Sequence, residues 1–199
     1  AAPLPLSFAQ QRLWFLHQLE PESPVYNMPA ALYLPGRLDR AMLAAALGEA
    51  VRRHESLRTR CIVIEGEPVQ VVDPPAPVPV PEIDLAGLPA ARRQEEARRL
   101  AREEALRPFD LGDPEGGPLL RTALVRLGEA EQLLLLTMHH GISDGWSLRV
   151  LAREHAQPGA LDCALRNERN HKCPTTIETA TATAIRTMIA PMGAPSRTS

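Results

Sequence analysis

Residues 132–147 read QLLLLTMHHGISDGWS, a short apolar run that leads directly into reactive polar side chains. The run from Leu133 to Met138 has the length of a strand buried on both faces, although consecutive leucines also suit a buried helix. As a strand it would end in two histidines, turn through residues 141–145 and enter a helix near Trp146. The stretch therefore predicts two imidazoles, a hydroxyl and a carboxylate at the end of a buried strand.

The two histidines are adjacent, and this spacing bears on metal binding. Alternate residues of a strand point to opposite faces, so His140 would share a face with the even-numbered residues of the run and His139 with the odd-numbered ones. Two ligands of one zinc ion need a shared face or a looped spacing, and neither a CxxC nor an HExxH pattern occurs in the chain. The sequence therefore predicts no metal site here.

The segment GISDG that follows the histidines allows three interpretations. It matches the GxSxG pattern of a nucleophile elbow, and an esterase would then use Ser143 with Asp162 and His171 as the acid and base downstream. Alternatively, His140 is a base or positioning group and Asp144 fixes the turn. In a purely structural interpretation, both histidines form hydrogen bonds in the core and Asp144 caps the next helix.

The chain carries three motifs that bear on this choice, MHHGISDGWS at residues 138–147, SFAQQRLWFL at 7–16 and RHESLRTR at 53–60. The first resembles the HHxxxDG signature of nonribosomal peptide synthetase condensation domains. That signature also occurs in other acyltransferases of the chloramphenicol acetyltransferase-like superfamily. The other two resemble the first and second motifs of condensation domains, in the family's order and spacing. The resemblance covers about residues 3–155.

The resemblance implies an α/β fold, one lobe of the chloramphenicol acetyltransferase-like sandwich, with a mixed sheet and flanking helices. Residues 1–155 would be the amino-terminal lobe of a condensation domain, truncated before the carboxy-terminal lobe. The composition changes after that point, where the chain's one lysine, Lys172, occurs and residues 175–187 are mostly threonine and alanine. We therefore expect residues 156–199 to be an unrelated, disordered tail.

The resemblance also implies a reaction, attack of an aminoacyl amine on an upstream acyl or peptidyl thioester to form a peptide bond. His140 would be the catalytic base or positioning group, with His139 beside it and the Gly145 amide near the developing oxyanion. No cofactor would bind directly, because both substrates are carried on the phosphopantetheine arms of upstream and downstream peptidyl carrier proteins. The motifs favour the subtype that joins two L-configured partners, and they do not specify the amino acids.

A non-catalytic alternative is a folded but inactive lobe that docks carrier proteins. In the family, the active site lies in a channel between two lobes. We therefore expect the chain alone to have little condensation activity and to expose the apolar surface that would pack against the second lobe.

Arg12 belongs to the first motif, in a helix expected over residues 8–19 with a capping box formed by Ser7 and Gln10. The arginine falls within the helix's apolar arc, so we expect it to be buried and paired with a carboxylate. Asp144 is the candidate partner, and Arg58 of the second motif is the competing cation. Alternatively, the long stem of Arg12 carries its guanidinium to the surface.

The composition bears on which classes of protein the sequence can belong to. The formal net charge is −2 and both signs are interleaved, which gives no basic patch for a nucleic acid. No apolar run approaches the length of a membrane span, and no signal peptide precedes the first motif. Three cysteines form no disulfide framework, and 44% apolar residues suffice for a core. These features favour a cytoplasmic protein.

The remaining pattern predicts five further elements. They are a strand over residues 30–34, a helix capped by Asp39, a hairpin around residues 65–67, a helix over 90–107 and a strand over 119–127 that pairs with 132–138. Residues 74–81, rich in proline, are expected to form an extended connector.

Overall fold

The computed structural model describes residues 3–112 and 118–142. In chain order the elements are β1 (Leu4–Pro5), α1 (Phe8–Leu19), β2 (Asn27–Pro35), α2 (Arg40–Arg53), a 3-10 turn (Glu55–Arg58), β3 (Thr59–Ile64), β4 (Glu67–Val72), β5 (Glu82–Asp84), α3 (Ala90–Leu106), β6 (Leu120–Gly128) and β7 (Glu131–His139). They all lie in one compact unit. The boundary predicted at residue 155, the helix near Trp146 and the tail lie outside the described residues.

β7 is an inner strand of a four-stranded mixed sheet in the order β2-β7-β6-β5. β2 pairs with it antiparallel on one side, with Asn27 opposite His139, and β6 pairs antiparallel on the other, with Leu120 opposite Met138. β5 joins the far side of β6 in parallel. The structure thus confirms a strand rather than a helix for the leucine run, and its pairing with the preceding strand.

Both faces of β7 are buried, each against a different helix. The even-numbered residues from 134 to 138 pack with Leu43 and Leu47 of α2. The odd-numbered residues 133 and 135 pack with Ala97 of α3. The sheet therefore lies between two helices, which confirms the predicted α/β architecture and the alternation of faces along the strand.

A second sheet has three strands in the order β1-β4-β3. β3 and β4 form the predicted hairpin, with Ile64 opposite Glu67 and two residues between them. Both of these turn residues have positive φ, 52° at Glu65 and 85° at Gly66, as a type I′ turn requires. Glycine adopts this backbone without strain, whereas Glu65 does so at some cost.

β2 is an edge strand of the central sheet within the described residues. The Gly36 N–H donates to the Ala130 carbonyl at 2.8 Å and continues the β2–β7 ladder, so the even-numbered amides of β2 face β7. The odd-numbered nitrogens face away, and Pro29 and Pro35 are among them. Both prolines are therefore accommodated without loss of a ladder hydrogen bond.

The first two helices begin at the predicted caps. Ser7 and Gln10 form a complete capping box at the start of α1. Asp39 accepts from the amides of Ala41 and Met42 at the start of α2. The predicted apolar stripe of α2 is buried along its length, at Leu43, Ala46, Leu47, Ala50 and Val51.

α1 presents a different face from the one that its sequence predicts. Phe8, Phe15 and Leu19 are 91%, 62% and 63% exposed, and Arg12 on the same face is exposed as well. The buried residue of this helix is His17. The expectation that Arg12 lies among buried apolar groups was wrong, because α1 packs through its His17 side and leaves positions 8, 15 and 19 toward solvent.

Within the described ranges, no helix combines the length and apolar character that crossing a membrane would need.

The burial of Leu43 leads to a first prediction. Its side chain is completely buried in the cluster between α2 and the sheet, so Leu43→Ala should reduce the free energy of unfolding by about 2–5 kcal/mol. Met42→Ala is the matched control, because Met42 is the preceding residue and is 37% exposed. Urea unfolding of both variants measures the difference, and equal losses would contradict the packing of α2 described above.

Candidate active site

His139 and His140 end β7, and their backbones are held by different neighbours. The His139 N–H donates to the Leu119 carbonyl at 3.0 Å, and the His140 N–H donates to the Tyr26 carbonyl at 2.8 Å. The His139 side chain is only 5% exposed, whereas His140 is exposed. The end of the strand therefore offers one imidazole to solvent from a backbone fixed by the sheet.

The His139 imidazole is enclosed by aromatic rings. Phe109 and Tyr26 each form a T-shaped contact with it, with ring centroids 6.0 and 6.3 Å away. Its Nδ1 accepts a hydrogen bond from the Gly141 N–H at 3.0 Å. A neutral imidazole that accepts at Nδ1 carries its proton on Nε2.

Electrostatics keep this ring neutral. Burial, followed by the nearby His17 and His140, lowers the pKa of His139 from 6.5 to about 4. At neutral pH His139 therefore carries no charge.

Gly141 begins the turn after the histidines, in a place where a side chain would crowd His139. A Cβ at this position would lie 3.0 Å from His139 Nδ1. The Gly141 carbonyl accepts from Gln10 Nε2 at 3.4 Å, and the Ile142 N–H donates to the His139 carbonyl at 3.1 Å. Ile142 itself is buried in the core, so the first residues of the turn are anchored at both ends.

Sequence reasoning missed two residues that support this arrangement. Gln10 was identified only as part of a capping box, and its reach to Gly141 depends on how α1 packs. His17 was not singled out; its Nε2 accepts from the Leu111 N–H at 3.2 Å and lies 3.5 Å from Asp110 Oδ1. A histidine within the helix that carries the first motif was the available signal, and it could not indicate burial.

Arg58 has an acidic partner that was not predicted. Its guanidinium donates to Glu55 at 3.0 Å and to the Asp73 carbonyl at 2.6 Å, so it links the segment before β3 to the end of β4. Asp144 lies outside the described residues, and its pairing with Arg12 or Arg58 stays a prediction. Gly145 and the proposed esterase residues, Ser143, Asp162 and His171, also lie outside them.

The structure thus brings together two of the predicted site residues, His139 and His140. Among residues 3–112 and 118–142, no group of three His, Cys, Asp or Glu side chains is placed to hold a metal ion.

Comparison with known proteins identifies relatives over most of the chain. One of the linear gramicidin synthase proteins of Brevibacillus parabrevis is 50% identical over 153 residues, which make up 77% of this chain and 3% of that protein. Phosphinothricin tripeptide synthetase PhsC of Streptomyces viridochromogenes is 45% identical over 168 residues, covering 82% of this chain and 15% of that protein.

Solved structures show the same fold. The starter condensation domain of rhizomide synthetase RzmA matches with a TM-score of 0.73 and 26% identity over 96% of this chain and 45% of that chain. The first condensation domain of the calcium-dependent antibiotic synthetase, in complex with a substrate analogue, matches with a TM-score of 0.69 and 29% identity, over 94% of this chain and 44% of that chain.

The chain therefore spans less than half of the solved domains and a small part of the synthetases that it matches. Residues 2–160 match the family model described as the condensation domain. With this match, and with synthetase relatives of 45–50% identity, the chain belongs to the condensation domain family of nonribosomal peptide synthetases.

Proposed function

We propose that this chain takes part in peptide-bond formation and presents His140 to an amine that attacks an acyl thioester. The observation that carries the proposal is the exposed His140 imidazole on a fixed backbone, next to a buried neutral histidine. The upstream carrier protein would bring the acyl or peptidyl donor, and the downstream one the aminoacyl acceptor, each on phosphopantetheine. A variant of the rhizomide starter domain was solved with C8-CoA and Leu-SNAC, which supports a site for two substrates.

The proposed reaction exchanges one bond for another at the donor carbonyl. The amine lone pair attacks the carbonyl carbon, the new C–N bond forms and the C–S bond breaks. The electron pair of that bond leaves with the phosphopantetheine sulfur. The amine loses one proton, which His140 takes up and passes to the departing thiolate.

The role of His140 follows from comparing the cost of neutralising the amine with the contribution of a general base. An α-amine titrates near pH 8, so neutralising it at pH 7 costs only about 1.4 kcal/mol. A full general base would contribute roughly 10²–10⁴ in rate. His140 therefore acts mainly by orienting the amine and by accepting its proton after attack. The Gly145 amide would stabilise the developing oxyanion, and Asp144 would fix the turn between them.

His139 has a positioning role in this proposal. Its Nδ1 is occupied by the Gly141 N–H, and burial keeps the ring neutral. The imidazole therefore orders the first residue of the turn and is not available to take a proton from the substrate.

A second candidate function is an inactive lobe that docks carrier proteins. The exposed apolar face of α1, formed by Phe8, Phe15 and Leu19, favours it. Substitution of His140 separates the two candidates, because docking does not require this imidazole.

The first prediction from the proposal concerns His140. Residues 2–160 would replace the matching segment of a condensation domain in the linear gramicidin synthase relative, and product would be measured by mass spectrometry in single turnovers. Because His140 orients the amine and takes its proton after attack, His140→Ala should lower the rate on the order of 10²-fold. Glu131→Ala, which changes an exposed residue at the opposite end of β7, should not.

Two outcomes would refute the proposal. An active hybrid whose rate survives His140→Ala would remove the role of this imidazole and support docking. A folded but inactive hybrid would exclude the reaction itself. The chain alone, which matches about 45% of the solved starter domain, should form little product.

The second prediction concerns acid stability. Because the pKa of His139 is about 4 in the folded chain and near 6.5 when unfolded, the unfolded chain binds the proton first as the pH falls between these values. The free energy of unfolding should therefore decrease over this window, with a contribution from His139 of at most about 3 kcal/mol. Urea unfolding between pH 7 and pH 5 measures the slope. His139→Gln cannot take up the proton, so its free energy of unfolding should change less steeply with pH. Identical slopes in the two proteins would contradict a neutral, buried His139.

A further inference from the structure

The carboxyl end of α3 is satisfied by two side chains from the central sheet. The last carbonyls of an α-helix have no partner within the helix. Asn27 Nδ2, at the start of β2, donates to the Ala105 and Arg107 carbonyls, each at 2.8 Å. Arg121, on β6, donates to three carbonyls of the same segment, those of Glu104, Arg107 and Pro108. The end of this helix is therefore fixed to two strands of the sheet.

Arg121 makes two further contacts there. It pairs with the Glu104 carboxylate at 2.6 Å, and the two side chains are only 16% and 18% exposed. Its guanidinium also lies 3.7 Å from the centroid of the Phe109 ring. A single planar cation thus fixes both the helix end and the ring that follows it.

Phe109 and Asn27 connect the end of α3 to the two histidines. The Phe109 ring meets His139 edge to face, at an interplanar angle of 79°. Asn27 is paired with His139 in the sheet, and the carbonyl of the preceding residue, Tyr26, accepts the His140 N–H. One route reaches the imidazole of His139 and the other reaches the backbone of His140.

We infer that Arg121 is a positioning residue for the histidine pair, acting through Phe109 and the end of α3. The inference rests on the proposed function only where it gives the pair a role in the reaction. The geometric part, that Arg121 controls how the His139 ring is held, stands independently of it.

The contacts require arginine rather than any cation. The guanidinium offers five donors in a planar fork, which here serve a carboxylate and three carbonyls while its face covers an aromatic ring. A lysine at this position keeps the charge beside Glu104 but cannot reach all of these acceptors or stack on Phe109.

The test compares Arg121→Lys with Arg126→Lys in the 199-residue chain. Arg126 is the matched control, because it lies on the same strand and its partners Glu82 and Asp84 are more exposed. Imidazole ¹⁵N shifts report the tautomer of His139, and amide hydrogen exchange reports the Gly141 N–H. In Arg121→Lys we expect a mixture of His139 tautomers and Gly141 exchange faster on the order of tenfold, from loss of its hydrogen bond. Arg126→Lys should leave both unchanged.

A second variant tests the inference if Arg121→Lys does not fold. Phe109→Leu keeps an apolar side chain and removes the ring between Arg121 and His139, and it should produce the same two changes. An unaltered His139 tautomer and Gly141 exchange rate in a folded Arg121→Lys or Phe109→Leu variant would overturn the inference.

Activity distinguishes this inference from the proposed function. In the hybrid synthetase, Arg121→Lys should lower kcat with little change in KM for the aminoacyl carrier protein, and Arg126→Lys should change neither. If His140→Ala leaves product formation intact, the proposed function fails, while the spectroscopic result still decides the positioning role of Arg121.

Discussion

The double burial of β7 is the constraint on which the rest of the structure depends. The strand is paired on both sides and covered by α2 on one face and α3 on the other. A polar side chain inside such a strand costs free energy unless it is hydrogen-bonded. Two imidazoles are accommodated where the strand ends, because there one ring can still pack among aromatic side chains while the next emerges from the sheet.

One residue of offset gives the two histidines opposite environments. His139 is enclosed, neutral and engaged through Nδ1, whereas His140 is exposed on a backbone bonded to Tyr26. The end of α3 links these two environments, because Arg121 and Asn27 fasten it to neighbouring strands on either side of β7. The site therefore depends on residues that are distant in the sequence and make no contact with a substrate in the proposed reaction.

Local signals predicted most of the elements, because their causes lie within a few residues. The caps at Ser7 and Asp39 and the leucine alternation of β7 are of this kind. The face of α1 was predicted wrongly, since an apolar arc shows that a helix can pack but not which side meets the core. The contacts of Arg121 with α3 and Phe109 required the fold. For the same reason, the Glu55 partner of Arg58 could not be read from sequence.

The prolines of β2 limit the hydrogen bonds that its outer edge can form with another strand. Five residues of that strand, at odd positions from 27 to 35, direct their nitrogens away from β7, and two of them are prolines without an N–H. The Asn27 N–H is already bonded to the Pro24 carbonyl at 2.9 Å. Counting only residues 3–112 and 118–142, Ala31 and Tyr33 are thus the two residues of β2 whose amides remain to receive an incoming strand. A foreign chain cannot add to this side of the sheet with a continuous ladder, and the strand beside the histidines is a poor template for aggregation.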